Sequence, residues 1–503
     1  MKKTLITLLL IIASCMYSHA ELVVVDGIQY LFWPFDNNDT CAVCKLQGNH
    51  VDIIIPEEVE LKSKAYNTTK KYKVTWIDYG AFEDTEITSI TLPNTIRGIG
   101  SNAFKNVQSL NYIDIPKSVT QIGDGAFAYS GIKAIEIPEN VTIIGNGTFK
   151  GTAITTIKLS DNITTIGSDT FNSCAYLKTV QLSSNLQSIG SGAFWNCVSL
   201  ISIEIPDKVE TIGNTAFQNC VALQSVSFGK GLRSIGSTAF AYCTSLEGIV
   251  IPDNVEEIGN SSFFGSGLKT LDTGNGLKRI PNSAFYGCEN LAHVTIGNNV
   301  DSIMPMAFYM CDTLQEITIP ENVKMIGNDA FYSCKQLKSV VNGEGVDSIG
   351  NGAFRDCQCL RWVELGSKLR KVHNKAFQDS KNIKVIVSHI QKPEDVIVYL
   401  SGSSDTLYVP RGTRERYIAI EAWSHYYADV YKSIYPTYEE YSKSYGARQI
   451  IEGEPTSGIA PIIKGVIGEK EYYDMLGRRN NSFKRGLNIV RMSDGRIKKV
   501  IYK

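Results

Sequence analysis

Twelve cysteines are the most reactive side chains of this 503-residue chain, and eight of them share one spacing, three residues after a phenylalanine. The eight are Cys174, Cys197, Cys220, Cys243, Cys288, Cys311, Cys334 and Cys357. An even number of cysteines is typical of a disulfide framework in an exported protein, and neighbouring repeats would be close enough for a bridge. The regular spacing favours another interpretation, because equivalent positions of stacked repeats all point into the core, where cysteine acts as a small hydrophobic residue. We therefore predict buried, reduced thiols.

Cys41 and Cys44 form a separate Cys-x-x-Cys pair. This spacing permits a redox centre or half of a metal site, but no second pair or histidine cluster accompanies it, and the nearby His50 is isolated. Three interpretations stay open for this pair: a local disulfide, two free buried thiols, and redox or metal chemistry.

Motifs of common catalytic and cofactor sites are missing from the sequence. It contains no His-Glu-x-x-His, no Gly-x-x-x-x-Gly-Lys-Ser/Thr and no Gly-x-Ser-x-Gly, and only six histidines. Fifty basic residues balance 51 acidic ones, which leaves a formal net charge of −1, so no overall field would attract nucleic acid. We predict no enzyme activity, no catalytic, cofactor-binding or metal-binding residue, and no nucleic-acid partner.

A phenylalanine recurs fourteen times at intervals of 22 or 23 residues, often within the motif Ile-Gly-x-x-Ala-Phe. The fourteen residues are Phe82, Phe104, Phe127, Phe149, Phe171, Phe194, Phe217, Phe240, Phe263, Phe285, Phe308, Phe331, Phe354 and Phe377. A fixed period of this length predicts a solenoid, in which each repeat buries its apolar face against its neighbours. Thirteen steps at a strand spacing of about 4.8 Å give a length on the order of 60 Å.

The first half of each repeat predicts a short strand. In the unit from Leu200 to Cys220, Ile203 and Ile205 alternate with polar residues, so their side chains share the inward side. Pro206 ends the strand because proline has no N–H to donate to a ladder.

The second half of each repeat predicts a corner and a single helical turn. Gly213 allows a sharp corner, with a positive φ as one way to form it. Asn214 fits the N-cap of the turn that carries Phe217 inward. The residue three before the phenylalanine is Ser, Asn or Asp in twelve of fourteen copies, the exceptions being Tyr79 and Pro305.

The outward position of the predicted strands carries acidic, basic and neutral polar residues. The candidates for a binding surface are Asp114, Glu136, Lys158, Gln181, Glu204, Ser227, Thr295, Thr318 and Glu364. Carboxylates on different coils, Asp272 among them, resemble paired catalytic acids only superficially. The row is chemically mixed, so we interpret it as a solvated face.

The unit Leu-x-x-Ile-x-Ile-Pro-x-x-Val-x-x-Ile-Gly-x-x-Ala-Phe-x-x-Cys resembles the BspA-type bacterial leucine-rich repeat, over about three-fifths of the chain. The predicted fold class is therefore a β-rich repeat solenoid of leucine-rich-repeat type, with one short strand and one short helical turn per coil. Residues 25–56 are similar to the family's N-terminal β-cap, and residues 406–412, with Tyr417 and Trp423, to its closing cap. The resemblance implies adhesion to host matrix proteins or to cells, with host or bacterial surface proteins as partners.

Both ends of the chain predict export. Lys2 and Lys3 precede an apolar segment that is too short to span a bilayer, and Ser18-His19-Ala20 fits a signal-peptide cleavage site before Glu21. The rival interpretation is a lipobox ending at Cys15, which would be acylated and would anchor the protein. The segments 473–479, 485–490 and 494–500 resemble the end of a type IX secretion sorting domain; a small β-appendage without a sorting role is the alternative. No segment of the mature chain predicts a transmembrane helix.

These features divide the chain into six parts. They are a signal peptide (1–20), an N-terminal β-cap (21–78), a solenoid of about fourteen coils (79–390), a C-terminal cap (391–432), a tyrosine-rich stretch and linker (433–462) and a sorting-domain-like β-segment (463–503). We expect an exported binding protein at the cell surface (outer membrane) or outside the cell. The alternatives are a surface-located enzyme or glycan-processing accessory, and a structural spacer that displays its caps.

Overall fold

The computed structural model describes residues 20–34, 39–373, 375–398, 406–420, 423 and 449–453, together with four strands between 471 and 502. Within them, a β-solenoid of about fourteen turns with almost no helix extends from an N-terminal β-cap. This architecture confirms the predicted repeat solenoid. The signal peptide, Cys15 and most of the tyrosine-rich stretch lie outside the described residues.

Six strands form the N-terminal cap. They are β1 (Glu21–Val25), β2 (Ile28–Phe32), β3 (Thr40–Leu46), β4 (Asp52–Ile54), β5 (Glu58–Lys62) and β6 (Thr69–Ile77). The sheet order is β1-β2-β3-β6, with β5 also paired to β6, and β6 then pairs in parallel with the second coil's strand Gly98–Ile99. The cap therefore covers the end of the core that an open solenoid would expose.

Most coils contribute two parallel strands rather than the single strand that we predicted; in the two coils that hold Tyr112 and Ala134, the longer strand is reduced to one β-bridge. The longer strands form the strand face: Ser89–Thr91, Thr156–Lys158, Thr179–Gln181, Ser202–Glu204, Ser225–Ser227, Gly248–Val250, Thr270–Asp272, His293–Thr295, Glu316–Thr318, Ser339–Val341, Trp362–Leu365 and Val385–Ser388. The two-residue strands form the corner face: Gly98–Ile99, Gln121–Ile122, Ile143–Ile144, Thr165–Ile166, Ser188–Ile189, Thr211–Ile212, Ser234–Ile235, Glu257–Ile258, Arg279–Ile280, Ser302–Ile303, Met325–Ile326, Ser348–Ile349 and Lys371–Val372. The corner strand was missed because two residues are too few to show alternation.

The core is a set of ladders that run along the solenoid axis. All fourteen phenylalanines are buried, and each ring stacks on the next with centroids 5.0–5.8 Å apart and interplanar angles of 2–13°. Isoleucine, leucine and valine of both strand faces complete this core. Every coil thus buries its apolar side chains against the coils before and after it.

The segment around each phenylalanine is a run of turns, so the predicted helical turn is wrong. Thr215 and Asn219, two residues before and after Phe217, have φ of 55° and 62°. An α-helix needs negative φ at every residue, so these positions interrupt it. Their N–H groups donate instead to the next coil, as from Thr215 to Ser237 O (2.9 Å).

The predicted helix N-cap also has a different role. Asn214 Oδ1 accepts a hydrogen bond from the N–H of Ser237, the equivalent residue of the next coil, at 2.8 Å. The same bond joins Asn146 to Ser168 at 2.7 Å. These side chains therefore connect coils, because the turn that follows them has no helical N-terminus to cap.

The corner glycine is required by close packing between coils. Gly213 does not have a positive φ. A Cβ at this position would lie 2.6 Å from the backbone nitrogen of Ser191 in the preceding coil. The corner therefore needs the small volume of glycine more than its conformational freedom.

The C-terminal side of the solenoid is closed by two further parallel strands, Thr406–Val409 and Gln449–Glu452, and by the α-helix Arg414–Ile418. A 3₁₀-helix covers Pro393–Asp395. Tyr417 and Trp423 are buried, and Tyr417 donates to the carbonyl oxygen of Ile390 at 2.8 Å. The strand Gln449–Glu452 lies within the segment 433–462, which was predicted as a tyrosine-rich stretch and linker.

A separate antiparallel sheet forms near the end of the chain. Its strands are Glu471–Tyr473, Arg479–Asn480, Gly486–Arg491 and Ile497–Tyr502, with Glu471–Tyr473 between the second and third. These strands overlap the segments 473–479, 485–490 and 494–500 of the predicted C-terminal β-segment.

Candidate functional site

The structure aligns the predicted binding residues in one row along the strand face. Lys158 lies in register with Gln181, and Glu204 with Ser227. A β-bridge between Tyr112 and Ala134 aligns Asp114 and Glu136 in the same way. The rest of the row continues through Asp272, Thr295, Thr318 and Glu364.

Most of this row is exposed to solvent and chemically varied. Eight of the nine predicted candidates are exposed, and Glu364 is half-buried against His389 Nε2 at 2.8 Å. The structure adds Val250 and Val341, which share the row and which the sequence analysis omitted; Val250 is 68 % exposed. Asp114 and Glu136 are carboxylates on neighbouring coils, and both are exposed to solvent. This surface suits contact with a macromolecule more than acid–base chemistry.

The eight repeat cysteines lie in the core as separate thiols. Each Sγ donates to the carbonyl oxygen of the phenylalanine in the preceding coil, at 3.0–3.3 Å. Burial raises the pKa of the Cys243, Cys288 and Cys334 thiols to about 12 and that of Cys174 to about 11. A protonated, buried thiol is a poor nucleophile and a poor metal ligand, so this ladder serves packing.

Cys41 and Cys44 are also separate thiols in this structure. They lie three residues apart on β3, whose pairing with β2 and β6 shifts register within this segment. Cys41 is buried, and the Cys44 thiol lies 3.6 Å from Asp78 Oδ2. Burial raises both thiol pKa values to about 12. The predicted lipidation site Cys15 lies outside the described residues.

A shallow groove of about 390 Å³ crosses the corner face beside the N-terminal cap. Its walls include Trp76, Asp78, Tyr79 and Asp124. The ring of Trp76 lies across Gly98, in the space that a Cβ there would occupy. Tyr79 is 65 % exposed, and its hydroxyl accepts a hydrogen bond from Asn102 at 3.3 Å. No residue of this groove was among the predicted site residues.

The sequence held a signal for this groove. Asp78 stands where most coils have the corner glycine, and Tyr79 stands at the next position, where most coils have Ser, Asn or Asp. The exceptions become informative when the stacked coils show which of them are neighbours.

Among the described residues, no group of three His, Cys, Asp or Glu side chains is placed to hold a metal ion. No helix in the described part of the chain is long and apolar enough to cross a membrane.

Comparison with protein families gives a match over most of the solenoid. The model of the BspA type leucine rich repeat region, a unit of six copies, matches residues 75–197, 142–269 and 256–384. No curated protein matches the chain.

Among solved structures, a leucine-rich repeat protein from Bacteroides ovatus is 30 % identical in sequence. The alignment covers 72 % of this chain and 99 % of that protein, with a TM-score of 0.58. A leucine rich cell surface protein from Faecalibacterium prausnitzii is 25 % identical, over 64 % of this chain and 94 % of that protein, with a TM-score of 0.43.

Proposed function

Because this chain belongs to the BspA-type leucine-rich repeat family, we propose that it is an exported, non-enzymatic protein that binds protein partners through the surface of its solenoid. Its role would be adhesion to host matrix proteins or to other cells. The observation that carries this proposal is the strand face, where exposed, varied side chains stand in register over a rigid ladder core. A long, rigid surface of this kind suits protein–protein contact.

The test is binding of the purified chain from Glu21 onward to immobilised matrix proteins and to cultured cells. The variant Glu136→Ala/Lys158→Ala/Glu204→Ala removes three exposed side chains of the strand face without touching the core. We expect it to weaken binding while its thermal unfolding stays unchanged. Unchanged binding by the triple variant would reject the strand face as the binding surface. If the unmodified protein does not bind, the result would favour the spacer role instead.

Export through the predicted signal peptide is part of this proposal. The first described strand, β1, begins at Glu21, the residue that follows the proposed cleavage site. Glu21 also holds the loop after β5, because its carboxylate accepts hydrogen bonds from Ser63 and the backbone N–H of Lys64. Mass spectrometry of the exported protein distinguishes a free N-terminus at Glu21 from an acylated Cys15.

Sorting by a type IX system is a further part of the proposal. The antiparallel sheet between 471 and 502 supports a compact C-terminal module. Deleting residues 463–503 should retain the protein inside a type IX-competent host. Normal surface display of the truncated protein would reject this route.

A further inference from the structure

The first coils depart from the repeat pattern at several positions, and these positions meet in the groove of the corner face. Trp76 takes the outward place of a corner strand, Asp78 replaces the corner glycine, and Tyr79 replaces the small polar residue after it. In the next coil Gly98 replaces a larger outward residue and leaves room for the Trp76 ring. In the third coil Asp124 is the only aspartate at its position among the fourteen copies.

The groove combines aromatic and apolar surface with negative charge. Trp76, Tyr79 and the 56 % exposed Ile143 supply the apolar contacts. Asp78 and Asp124 supply two carboxylates, and none of the described lining residues is Lys, Arg or His. The corner glycines Gly100, Gly123 and Gly145 also line the groove.

We propose that this groove receives a lysine or arginine side chain from the protein partner. Such a side chain has an apolar stem and a cationic head. The stem would lie against Trp76 and Ile143, while the head would meet the ring electrons of the aromatic residues and the two carboxylates. Charge complementarity selects this occupant over a neutral one, because an acidic groove without a basic residue attracts a cation. The inference rests on the proposed protein-binding function and names one contact that the partner makes.

Asp124→Asn removes one of the two charges without disturbing the stack. Asp124 Oδ1 accepts the N–H of Asn146 at 2.6 Å. Asn146, Asn214 and Asn328 make the same bond to their next coils, so asparagine serves this position equally well. Tyr79→Asn likewise installs the residue type that other coils carry. The double variant Tyr79→Asn/Asp124→Asn therefore restores the repeat consensus at the groove.

The experiment is a titration followed by fluorine NMR of the full exported chain labelled with 5-fluorotryptophan. The chain has five tryptophans, and Trp76→Phe assigns the signal of Trp76. The probes are a capped Gly-Gly-Arg-Gly-Gly peptide, its citrulline analogue, which has the shape of arginine without the charge, and cellotetraose. We expect the arginine peptide to shift the Trp76 signal and to leave that of the exposed, distant Trp195 unchanged.

The expected losses of peptide affinity follow from the energies of exposed charge pairs and cation–π contacts. Asp124→Asn should weaken arginine-peptide binding by about threefold, and the double variant by about tenfold. The citrulline peptide should bind at least about threefold more weakly than the arginine peptide.

Three results would overturn the inference: equal binding of the arginine and citrulline peptides, a Trp76 shift with cellotetraose but not with the arginine peptide, or unchanged affinity in the double variant. Failure of the proposed adhesion is a separate outcome. If the protein binds the arginine peptide but neither matrix proteins nor cells, the proposed adhesion is rejected and the groove is not. If the double variant adheres as well as the unmodified protein, the proposed role of the groove is rejected and adhesion is not.

Discussion

The first coil and the central coils use the same positions in different ways. Three residues before its phenylalanine, the central coil has Asn214, whose side chain bonds the next coil, whereas the first coil has Tyr79, whose ring is exposed. At the corner the central coil has Gly213, packed against backbone, whereas the first coil has Asp78 at the edge of a groove. Where the repeat pattern holds, the side chain at this position bonds the next coil. At Tyr79, where the pattern breaks, most of the ring is exposed, while its hydroxyl accepts a hydrogen bond from Asn102 of the next coil. The difference separates positions that build the stack from positions that are free to bind.

The largest effect is expected from the phenylalanine ladder of the central coils. Phe217 is fully buried between two stacked rings 5.0 and 5.1 Å away. Phe217→Ala should cost about 3–5 kcal/mol of unfolding free energy, because it leaves a cavity that neighbouring rings cannot fill. The loss should fray nearby coils first, since each coil contacts only its neighbours. A single sharp two-state melting transition in this variant would contradict independent stacking.

Two glycines of the corner face, Gly213 at a corner and Gly98 in a corner strand, give a comparison between the two regions. Gly213→Ala places a Cβ against the backbone of the preceding coil and should cost about 1–3 kcal/mol. Gly98→Ala meets the ring of Trp76 instead, and a side chain can rotate away. We therefore expect a smaller cost at Gly98 but a large change in the fluorescence of Trp76. Urea unfolding of both variants measures this difference. Equal losses of unfolding free energy would show that the two positions do not differ in this way.

The buried thiols predict an alkaline loss of stability. Burial raises the pKa of Cys243 from 9.0 to about 12. Its folded-state pKa is therefore above its unfolded-state pKa, and the stability that this difference contributes is complete below pH 9 and is lost as pH rises towards 12. Each such thiol should lower the unfolding free energy by about 1.4 kcal/mol per pH unit in this window.

Cys243→Ala tests this slope. The variant should have a shallower pH dependence of the unfolding free energy between pH 9 and 12 than the unmodified protein. Thiol titration should detect the ladder cysteines only after denaturation. An absence of free thiols in the denatured protein would show that they are paired as disulfides, against the proposed reduced ladder.

The smallest effect is expected from a row of charges beside the corner face. Its members alternate in sign from coil to coil: Glu210, Arg233, Glu256, Lys278, Asp301, Lys324, Asp347 and Arg370. Arg233 and Glu256 form an exposed ion pair at 3.5 Å. Glu256→Lys should cost at most about 1 kcal/mol, because exposed pairs contribute little, and added salt should reduce the cost. A cost that does not change with salt would show that packing, not charge, is responsible.

Most of the fold could be predicted because each structural position of the coil recurs in many copies of the repeat. The spacing of Phe217 and its equivalents defined the coil, and the alternation of Ile203 and Ile205 defined the strand face. The turn around Phe217 could not be predicted, because the positive φ at Thr215 is imposed by hydrogen bonds to the next coil and not by its own side chain. The role of Asn214 was misassigned for the same reason, since a local pattern does not show a partner 23 residues away.

The candidate site was only partly accessible from sequence. The strand-face row could be predicted from the repeat period, because the outward residues of successive strands lie in register with one another. The groove could not, because Trp76, Gly100 and Asp124 belong to three different coils and meet only when those coils stack. In a repeat protein, the exceptions become informative once the register places them in space.

Hydrogen–deuterium exchange on two variants tests the separation of stack and binding positions most directly. Phe217→Ala should increase exchange in the coils around residue 217. Tyr79→Asn/Asp124→Asn should leave exchange of the free protein unchanged but remove the protection that the arginine peptide gives to residues 76–145. Increased exchange throughout the double variant, or full peptide protection in it, would contradict the conclusion that the consensus positions hold the stack and the departures bind.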